Sequence, residues 1–324
     1  MLSHLKKDDN SYDVFYQNLL EYTKVGERMK HIFIIKPDQN NKNIEAMIVK
    51  VMQGYRYEIK YTHYPRHATL LAKSYSGCNY RIYAVGGDGM IHEIVQGLVG
   101  SDNELVVIPT GTGNDFARSF PEKDNIRRID AMRYRFFAEN DSTKKSEERY
   151  AVNIINFGFD SRVVRKTDFY KKVFPGSAAY AAGVADTFCH KIGEDWLVEL
   201  EYDNGEIEKF NSRFTLALAA NCQYYGGGFR SAPLADPSDG LIDFIAIQKV
   251  SRMTFIRLIG DYKKGTHLDP VMKKPFDKFN GCMVYRKCKS INISGINDLC
   301  SDGEIEKAFA IKISVAPGVL RIAT

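Results

Sequence analysis

Two glycine-rich segments in the first half of the sequence carry residue types suited to binding phosphate. The first reads Gly86-Gly87-Asp88-Gly89 and separates an apolar stretch of strand length from apolar residues at helical spacing. Glycines allow a bulky anion close to the backbone, and the N–H groups at a helix start bind phosphate. The carboxylate of Asp88 beside a polyanion would need a metal ion or a transferred proton between them. The segment is therefore either a phosphate site or a plain strand-to-helix turn.

The second segment follows the next predicted strand and runs from Pro109 to Arg118. Its residues are Pro-Thr-Gly-Thr-Gly-Asn-Asp-Phe-Ala-Arg. Thr112 could bond a phosphate oxygen, whereas Asn114 and Asp115 could order the loop or a metal-bound water, or could simply cap a helix. Two polar, glycine-rich loops at one edge of a sheet favour a ligand site over two unrelated turns.

The second half of the sequence contains two turns that carry carboxylates. The first places Asp236, Asp239 and Asp243 close together, around a proline and a glycine. Carboxylate and backbone carbonyl oxygens at this spacing suit Mg²⁺ or Ca²⁺, and a simple Asp-Gly hairpin turn explains the pattern as well. The second turn, Asp302 to Glu304, could supply a general base for a hydroxyl nucleophile or could be another plain turn.

Strands and helices alternate from residue 31 to residue 108 in the pattern of a parallel sheet. Such alternation implies right-handed crossovers, and ligands bind these sheets at the carboxyl ends of the strands, where both glycine-rich loops lie. After residue 126 short strands dominate, with one alanine-rich helix near 178–185 and a loop over 139–149. This density of strands predicts a β-sandwich or barrel-like second domain. Three consecutive glycines at 226–228 indicate a bend or a close approach of the backbone.

Length and composition exclude several classes of protein. The 324 residues fit two domains, and a hydrophobic fraction of 44% is ordinary for a globular protein. No apolar run is long enough to cross a bilayer and no secretory signal is evident, so we expect a cytoplasmic protein.

A net charge of +5 is too mild for a nucleic-acid partner, and the short basic clusters form either a solvated surface or a surface attracted to an anionic membrane. Six cysteines without a Cys-x-x-Cys pair indicate free thiols.

Taken in order along the chain, these motifs resemble the diacylglycerol-kinase catalytic-domain family. They are similar to its bacterial lipid kinases, which are kin to sphingosine and ceramide kinases, and the resemblance covers about residues 31 to 322. A Gly-Gly-Asp-Gly turn alone also resembles NAD kinases and phosphofructokinases, from which the string at 111–118 separates this family. The motifs that carry the resemblance are Gly86–Gly89, Pro109–Arg118, Asn153–Asp160, Tyr225–Gly228, Asp239–Leu241 and Asp302–Glu304.

The resemblance implies a fold of class α/β plus all-β, in which an N-terminal doubly wound parallel-sheet nucleotide-binding domain is followed by a β-sandwich domain. It implies ATP-dependent phosphorylation of a hydroxyl on a diacylglycerol-like or related lipid at a membrane surface, with the nucleotide between the two domains. We therefore expect an ATP-binding domain over 29–122, completed by about 316–324, and a lipid-substrate domain over 123–315. Residues 1–28 form an N-terminal extension of unknown purpose.

The resemblance also implies roles for individual residues. ATP contacts are implied for Lys36, Pro37, Asp38, Gln39, Asn40, Thr62, Gly86, Gly87, Asp88, Gly89, Met90, His92, Glu93, Gly111, Thr112 and Asn114. A structural Mg²⁺ is implied on Asp239, with backbone oxygens from Asp236 and Leu241. Asp302 and Glu304 would supply the catalytic acid or base, and Asp88 would work with Mg²⁺ and phosphate.

Two segments depart from the pattern of the family. Its glycine turn continues Thr-x-Asn-Glu, where this chain has Met90-Ile91-His92-Glu93, and its first-strand loop begins Asn-Pro, where this chain has Lys36-Pro37. Two alternative functions therefore stay open, a catalytically weak homologue that binds nucleotide or lipid as a regulator and a kinase for a soluble hydroxyl compound. The identity of the lipid is open, and so is the oligomeric state, with a homodimer among the candidates.

Overall fold

The computed structural model describes residues 19–20, 29–37, 41–110, 114–120, 126–138, 141–174, 177–190, 192–279 and 281–323, without the side chains at 41, 42, 141–145 and 177. The chain divides into two compact units, one of Met1–Ile129 with Val319–Thr324 and the other of Asp130–Gly318. The chain passes between the units at residues 129–130 and 318–319, and each of these boundaries lies within a long strand, Ile126–Ala138 or Ala310–Ala323. The predicted extension lies outside the described residues except for Leu19 and Leu20.

The first unit is built on a parallel sheet. In chain order its elements are β1 (His31–Ile35), α1 (Asn41–Val51), β2 (Tyr57–Tyr61), α2 (His67–Ser74), β3 (Arg81–Gly86), α3 (Asp88–Leu98), β4 (Glu104–Pro109) and α4 (Asp115–Arg118). The strands are ordered β2–β1–β3–β4, and residues 321–323 add a parallel strand beside β4. The predicted alternation of strands and helices is confirmed.

The order of the strands reverses at β1, because β2 pairs on one side of it and β3 on the other. In open α/β sheets the carboxyl ends of the strands at such a reversal form the ligand crevice. The loops after β1 and β3 therefore flank the position expected for a ligand. Thr62 is fixed at the same edge, since its N–H donates to the carbonyl of Ile35 at 3.0 Å.

Both faces of this sheet are covered. Alternate residues such as Phe33 and Tyr83 pack with Ile44 and Ile48 of α1 in one buried cluster, as the period-two pattern of a strand requires. Ile34 lies on the opposite face and is also fully buried. The same cluster contains Leu19 at 0% exposure, so this residue of the predicted extension belongs to the core of the first unit.

The second unit is built mainly from antiparallel strands. In chain order its elements are β5 (Ile126–Ala138), β6 (Asp141–Lys145), β7 (Arg149–Ala151), β8 (Ile154–Gly158), α5 (Phe159–Tyr170), α6 (Ser177–Cys189), β9 (Glu194–Glu201), β10 (Ile207–Ala220), β11 (Ile242–Gln248), α7 (Arg252–Lys264), β12 (Leu268–Asp269), β13 (Lys274–Pro275), β14 (Met283–Cys288), β15 (Ser290–Ser294), β16 (Asp298–Ser301), β17 (Glu304–Lys307) and β18 (Ala310–Ala323). Antiparallel pairs link β17–β16–β8–β10–β9–β15–β18, and β11 joins β10 to β14.

Strand β10 lies between the two cores of this unit. Its residues Phe214 and Ala217 pack in a core made by strands, with Trp196 of β9, whereas Leu216 and Leu218 belong to a core that takes side chains from α5 and α7. The result is the β-sandwich-like domain that the sequence predicts, with helices against one face. No helix among the described residues is long and apolar enough to cross a bilayer.

Three elements of the second unit contradict the sequence prediction. The pattern predicts neither α5 nor α7, and it assigns a loop to 139–149, where the structure has β6 at Asp141–Lys145. For α7 the end signals are present, because the side chain of Ser251 accepts the N–H of Thr254 at 3.1 Å and Gly265 ends the helix at a φ of 73°. The capping residues of α7 are therefore recognisable in the sequence, but the many short strands around them favoured the prediction of a domain made almost entirely of strands.

Candidate active site

The glycine turn joins the end of β3 to the start of α3. Gly86 pairs with Pro109 of β4, and its carbonyl accepts the N–H of Thr110 at 3.1 Å. A Cβ on Gly86 would lie 2.8 Å from the Cβ of Met90, closer than side-chain carbons approach, so glycine is required there. In the first turn of α3 the N–H of Met90 donates to the carbonyl of Gly87 at 3.0 Å, so an anion at this turn would bind the N–H groups of Asp88 and Gly89.

Asp88 connects the two glycine-rich loops. Its Oδ2 accepts the N–H of Asp115 and its Oδ1 accepts the N–H of Phe116, both at 3.3 Å. These N–H groups belong to the start of α4, which follows the second loop. The prediction that both loops lie at one edge of the sheet is therefore confirmed. The role of Asp88 with phosphate and Mg²⁺ stays a prediction, since the bonds observed here orient α4.

Several other residues predicted to contact the nucleotide lie at the same edge. Thr62 is 8% exposed at the end of β2, whereas Lys36 and Pro37 are exposed after β1. Asn114 has a φ of 53°, a left-handed conformation that asparagine tolerates, and it precedes α4. The predicted residues Asp38, Gln39, Asn40, Gly111 and Thr112 lie outside the described part of the chain.

The residues of α3 that depart from the family pattern face inward. Met90 and His92 are each 8% exposed, so both side chains are packed within the first unit. Glu93 bonds the start of α2, where its Oε2 accepts the N–H of Ala68 at 3.2 Å and its carbonyl accepts the hydroxyl of Thr69 at 2.7 Å. The observed contacts of Glu93 thus orient two helices, and its contact with ATP stays a prediction.

Asp302 anchors the acidic turn near the end of the second unit. Its Oδ2 accepts the N–H of Val152 at 2.9 Å, and its Oδ1 accepts the N–H groups of Asn153 and Ile154, each at 3.0 Å. Its own N–H donates to the carbonyl of Ile154 at 3.0 Å. A carboxylate offers about four lone-pair directions. Most of the acceptor capacity of Asp302 is therefore used to hold the start of β8.

Glu304, the other predicted catalytic carboxylate, has a different environment. It is the first residue of β17 and is exposed to solvent. Gly303 between the two acids has a φ of 98°, so the chain reverses tightly between them. The turn thus carries one carboxylate fixed by backbone N–H groups and one that faces solvent.

Asn221 is not among the predicted site residues, although it holds the backbone of this region. Its side-chain Nδ2 donates to the carbonyls of Asp130 and Val152, each at 3.0 Å, and its backbone N–H donates to Asn153 at 2.9 Å. The backbone at 152–153 is therefore held by Asp302 and by Asn221. Only the position of Asn221 ahead of the triple-glycine segment could have drawn attention to it.

The triple-glycine segment is a bend that positions a tyrosine. Gly226, Gly227 and Gly228 have φ values of 62°, 80° and 102°, which confirms the predicted bend and explains the need for glycine. Tyr225, directly before the bend, donates its hydroxyl to the carboxylate of Asp160 at the start of α5. Burial raises the pKa of Asp160 to about 6, although the bond from Tyr225 opposes this shift. Neither residue is among the predicted site residues.

The acidic turn at 236–241 carries the predicted metal ligands. The Oδ1 of Asp239 accepts the N–H of Leu241 at 3.0 Å, and the Oδ2 of the same carboxylate lies 2.5 Å from the Nζ of Lys287. The carbonyl of Asp236 accepts the N–H of Asp239 at 3.4 Å. Each oxygen of the Asp239 carboxylate thus already has a partner within the protein.

These contacts do not fit a dedicated metal site on Asp239, because an ammonium group already neutralises the carboxylate that would bind the ion. No group of three or more His, Cys, Asp or Glu side chains able to hold a metal occurs among the described residues. The structural Mg²⁺ therefore stays a prediction, and Lys287 competes with it for the same oxygen.

Asp130 organises the acidic turn from a distance in the sequence. Its Oδ2 accepts the N–H of Gly240 and its Oδ1 accepts the N–H of Gly318, both at 2.7 Å. Its own N–H donates to the carbonyl of Pro237 at 2.7 Å. Asp130 is 3% exposed, so this buried carboxylate holds the turn in place through both of its oxygens.

Comparisons with known proteins agree with this architecture. The family model of the diacylglycerol kinase catalytic domain matches residues 32–139, and the model of the YegS C-terminal NAD kinase beta sandwich-like domain matches residues 153–324. The two matches together define a two-domain protein of the lipid-kinase type. The chain belongs to the diacylglycerol-kinase catalytic-domain family, as the motifs predict.

The chain is also similar over most of its length to individual proteins that are named diacylglycerol kinases. A diacylglycerol kinase of Mycobacterium tuberculosis (strain H37Rv) is 29% identical over 268 residues, which cover 80% of this chain and 81% of that protein. A diacylglycerol kinase of Bacillus subtilis (strain 168) is 29% identical over 229 residues, covering 69% and 70%. A crystal structure of a diacylglycerol kinase from Bacillus anthracis str. Sterne has a TM-score of 0.59 at 16% identity, covering 91% of this chain and 96% of that one. At that identity the structural likeness shows the fold alone.

Proposed function

We propose that this protein is an ATP-dependent lipid kinase that transfers the γ-phosphoryl group of ATP to a hydroxyl of a diacylglycerol-like lipid. The observation that carries the proposal is the pair of bonds from Asp88 to the start of α4, because they join two glycine-rich loops at the carboxyl edge of a parallel sheet. Phosphoryl transfer depends mainly on positioning and charge neutralisation, which such loops supply. The activity named for the relatives supports a lipid as the acceptor.

The residues of the first unit would bind the nucleotide. The backbone at Gly86–Gly89 would approach the phosphates, and Asp88 would keep the second loop in place through its bonds to α4. Mg²⁺ bound with the nucleotide would supply charge neutralisation at the phosphates. Met90 and His92 are buried, so we expect the backbone of α3, more than these side chains, to contact the phosphates.

The residues of the second unit would act on the acceptor. We assign Glu304 as the general base for the lipid hydroxyl, because its carboxylate is exposed at the start of β17. Asp302 would be a positioning residue, since three backbone N–H groups fix its carboxylate. The turn between them keeps both acids at the same point of the fold.

The test is a transfer assay with purified protein, Mg²⁺ and labelled ATP. Mixed micelles would present diacylglycerol, monoacylglycerol, ceramide or sphingosine, and separate reactions would contain glycerol or nucleosides. Label in an extracted phospholipid is the expected result. Label only in water-soluble products would make the protein a kinase for soluble hydroxyl compounds. Nucleotide binding in calorimetry without any turnover would identify a regulatory homologue.

A matched pair of variants controls this assay. Glu304→Gln should abolish transfer, whereas Glu306→Gln, two residues further along β17, should leave it largely intact. Glu306 pairs with Arg149, and both side chains are partly exposed. Both substitutions remove one negative charge from the same short strand, so a difference between them reports on position and not on net charge.

A further inference from the structure

A short hairpin in the second unit presents apolar side chains to solvent. Strands β12 and β13 pair antiparallel, Leu268 with Pro275 and Asp269 with Lys274, and residues 270–273 form the tip. Val271 is 84% exposed, the highest value among the large apolar side chains of the described residues, and Met272 is 62% exposed. A solvent-facing apolar tip of this kind often marks a surface that binds a partner.

The tip is held in this conformation by its base. The Oδ1 of Asp269 accepts the N–H groups of Val271 and Met272 at 2.8 and 3.0 Å, and these bonds lower the pKa of Asp269. The N–H of Lys273 donates to the carbonyl of Asp269 at 2.9 Å. Leu268 is 2% exposed beneath the tip. The two apolar side chains are therefore directed outward by a bonded turn with a buried anchor.

The surroundings of the tip are basic. Residues 263–278 contain five lysines and two aspartates, and one of the two, Asp269, is bonded inside the turn. Lys278 pairs with Asp261 at 2.9 Å and Lys274 with Asp277 at 3.6 Å. Both lysines are at least half exposed, Asp277 is 85% exposed and Asp261 is 30% exposed. Ion pairs of exposed lysines are weak enough to exchange for a phosphate group. The charge around the tip complements an anionic surface.

We propose that this hairpin anchors the protein to an anionic phospholipid bilayer. Val271 and Met272 enter the headgroup region, while Lys273 and Lys274 contact lipid phosphates. Apolar insertion combined with basic residues is the usual means by which a protein binds a membrane surface without spanning it. The inference extends the proposed function, because a kinase with a lipid acceptor must reach a bilayer, but its test does not depend on turnover.

The test measures sedimentation of the full chain with vesicles of phosphatidylcholine, alone or mixed with phosphatidylglycerol. We expect binding that requires phosphatidylglycerol and weakens with added salt. The double variant Val271→Asp with Met272→Asp should lower the partition coefficient by at least ~10-fold. Lys273→Gln with Lys274→Gln should lower it by about 5-fold per lysine at low salt. Melting curves would establish that each variant is folded.

Ile207 provides a matched control for the apolar substitutions. It is 59% exposed, close to the value for Met272, and it lies at the start of β10 in a segment that contains Asp203, Glu206 and Glu208. Because its surroundings are acidic, Ile207→Asp should leave vesicle binding at the wild-type level. A loss of binding in this variant equal to that of the tip variant would overturn the proposal.

Three further outcomes would overturn the assignment of the hairpin. They are equal sedimentation of the tip variant and the wild type, no sedimentation of the wild type with either vesicle, and a wild-type dimer in ultracentrifugation that the tip variant converts to monomer. The last result would make the tip a contact between copies of the chain.

Vesicle binding without kinase activity would refute the proposed function alone. Activity on a dispersed short-chain diacylglycerol without vesicle binding would refute the hairpin alone.

Discussion

Lys287 and Asp239 form an ion pair, with 2.5 Å between Nζ and Oδ2, at the turn where the sequence predicts a metal ion. The same ammonium lies 3.1 Å from Asp243, whose side chain is 1% exposed. Burial raises the pKa of Asp243 to about 6, whereas Lys287 and a hydrogen bond from Tyr285 act in the opposite direction. One ammonium group thus pairs with two carboxylates, one of them buried, at a position that a divalent cation would otherwise suit.

We predict that the melting temperature of the wild type is the same in Mg²⁺ and in EDTA. Lys287→Met leaves a buried carboxylate without its cation, so it should lower the free energy of unfolding by about 3 kcal/mol, with partial recovery in Mg²⁺. Thermal denaturation with and without the metal measures both effects. Lys289→Met is the control, because Lys289 pairs with Asp203 at an exposed surface. Stabilisation of the wild type by Mg²⁺ would instead support the metal on Asp236, Asp239 and Leu241.

The two acids at 302 and 304 should respond differently to neutral replacement. Asp302→Asn removes charged acceptors from three backbone N–H groups, so we expect a loss of about 2–4 kcal/mol of stability together with lost activity. Glu304→Gln should lower kcat by at least ~100-fold while the melting temperature and ATP affinity stay unchanged. Urea denaturation and steady-state kinetics separate the two. Full activity in both variants would exclude this turn from the active site.

Glu104 of β4 should be essential for the stability of the first unit. Its Oε2 accepts hydrogen bonds from Nε and Nη2 of Arg81 at 3.0 and 2.5 Å, and its Oε1 accepts one from Arg321 at 2.8 Å. Arg81 is fully buried, so Glu104→Gln leaves an uncompensated charge and should cost about 3–5 kcal/mol. Arg321→Gln should cost less, because the Arg321 side chain is 25% exposed.

Equilibrium unfolding in urea measures these losses. Arg128→Gln is a suitable control, since Arg128 and its partner Asp102 are both exposed, and it should change stability little. If Glu104→Gln proved as mild as Arg128→Gln, the buried ion pair would have no net stabilising role in this unit.

The parallel sheet could be predicted from the sequence because its signals are local. Strands β1, β3 and β4 contain short apolar runs, and β2 alternates Tyr57, Ile59 and Tyr61 with charged residues. Each strand is followed by residues at helical spacing or by a glycine turn. Once these elements are identified, the parallel direction of the strands places the loop after each strand at the carboxyl edge of the sheet. The position of Asp88 beside the second loop follows from that rule, and the structure confirms it.

The partners of buried polar residues could not be predicted in this way. Asp130 bonds Gly240 and Gly318, which lie 110 and 188 positions further along the chain. Arg81 and Glu104 are 23 positions apart and meet only because β3 and β4 pair in register. Nothing in the local pattern of a sequence encodes such a pairing, and the same limit applies to the ammonium of Lys287 beside Asp239. Helix α7 differs, since its capping residues are local and could have been recognised.

His267 should make the second unit sensitive to acid. Its side chain is fully buried, and its Nε2 lies 3.1 Å from the carbonyl of Ser231, so the neutral ring donates its proton there. Burial lowers the pKa of His267 to about 4, from an ordinary value of 6.5. The unfolded chain therefore binds a proton that the folded chain does not bind between these two values. The contribution of the neutral His267 ring to the free energy of unfolding is therefore present above pH 6.5 and is lost as the pH falls towards 4.

The expected loss of stability from this residue is about 2 kcal/mol between pH 7 and pH 5. Urea denaturation at the two pH values measures it. His267→Gln keeps a hydrogen-bond donor for Ser231 but cannot take up a proton, so its stability should depend less on pH by that amount. His63→Gln, at an exposed position, should retain the pH dependence of the wild type. An unchanged pH dependence in His267→Gln would show that other groups cause the acid sensitivity of this unit.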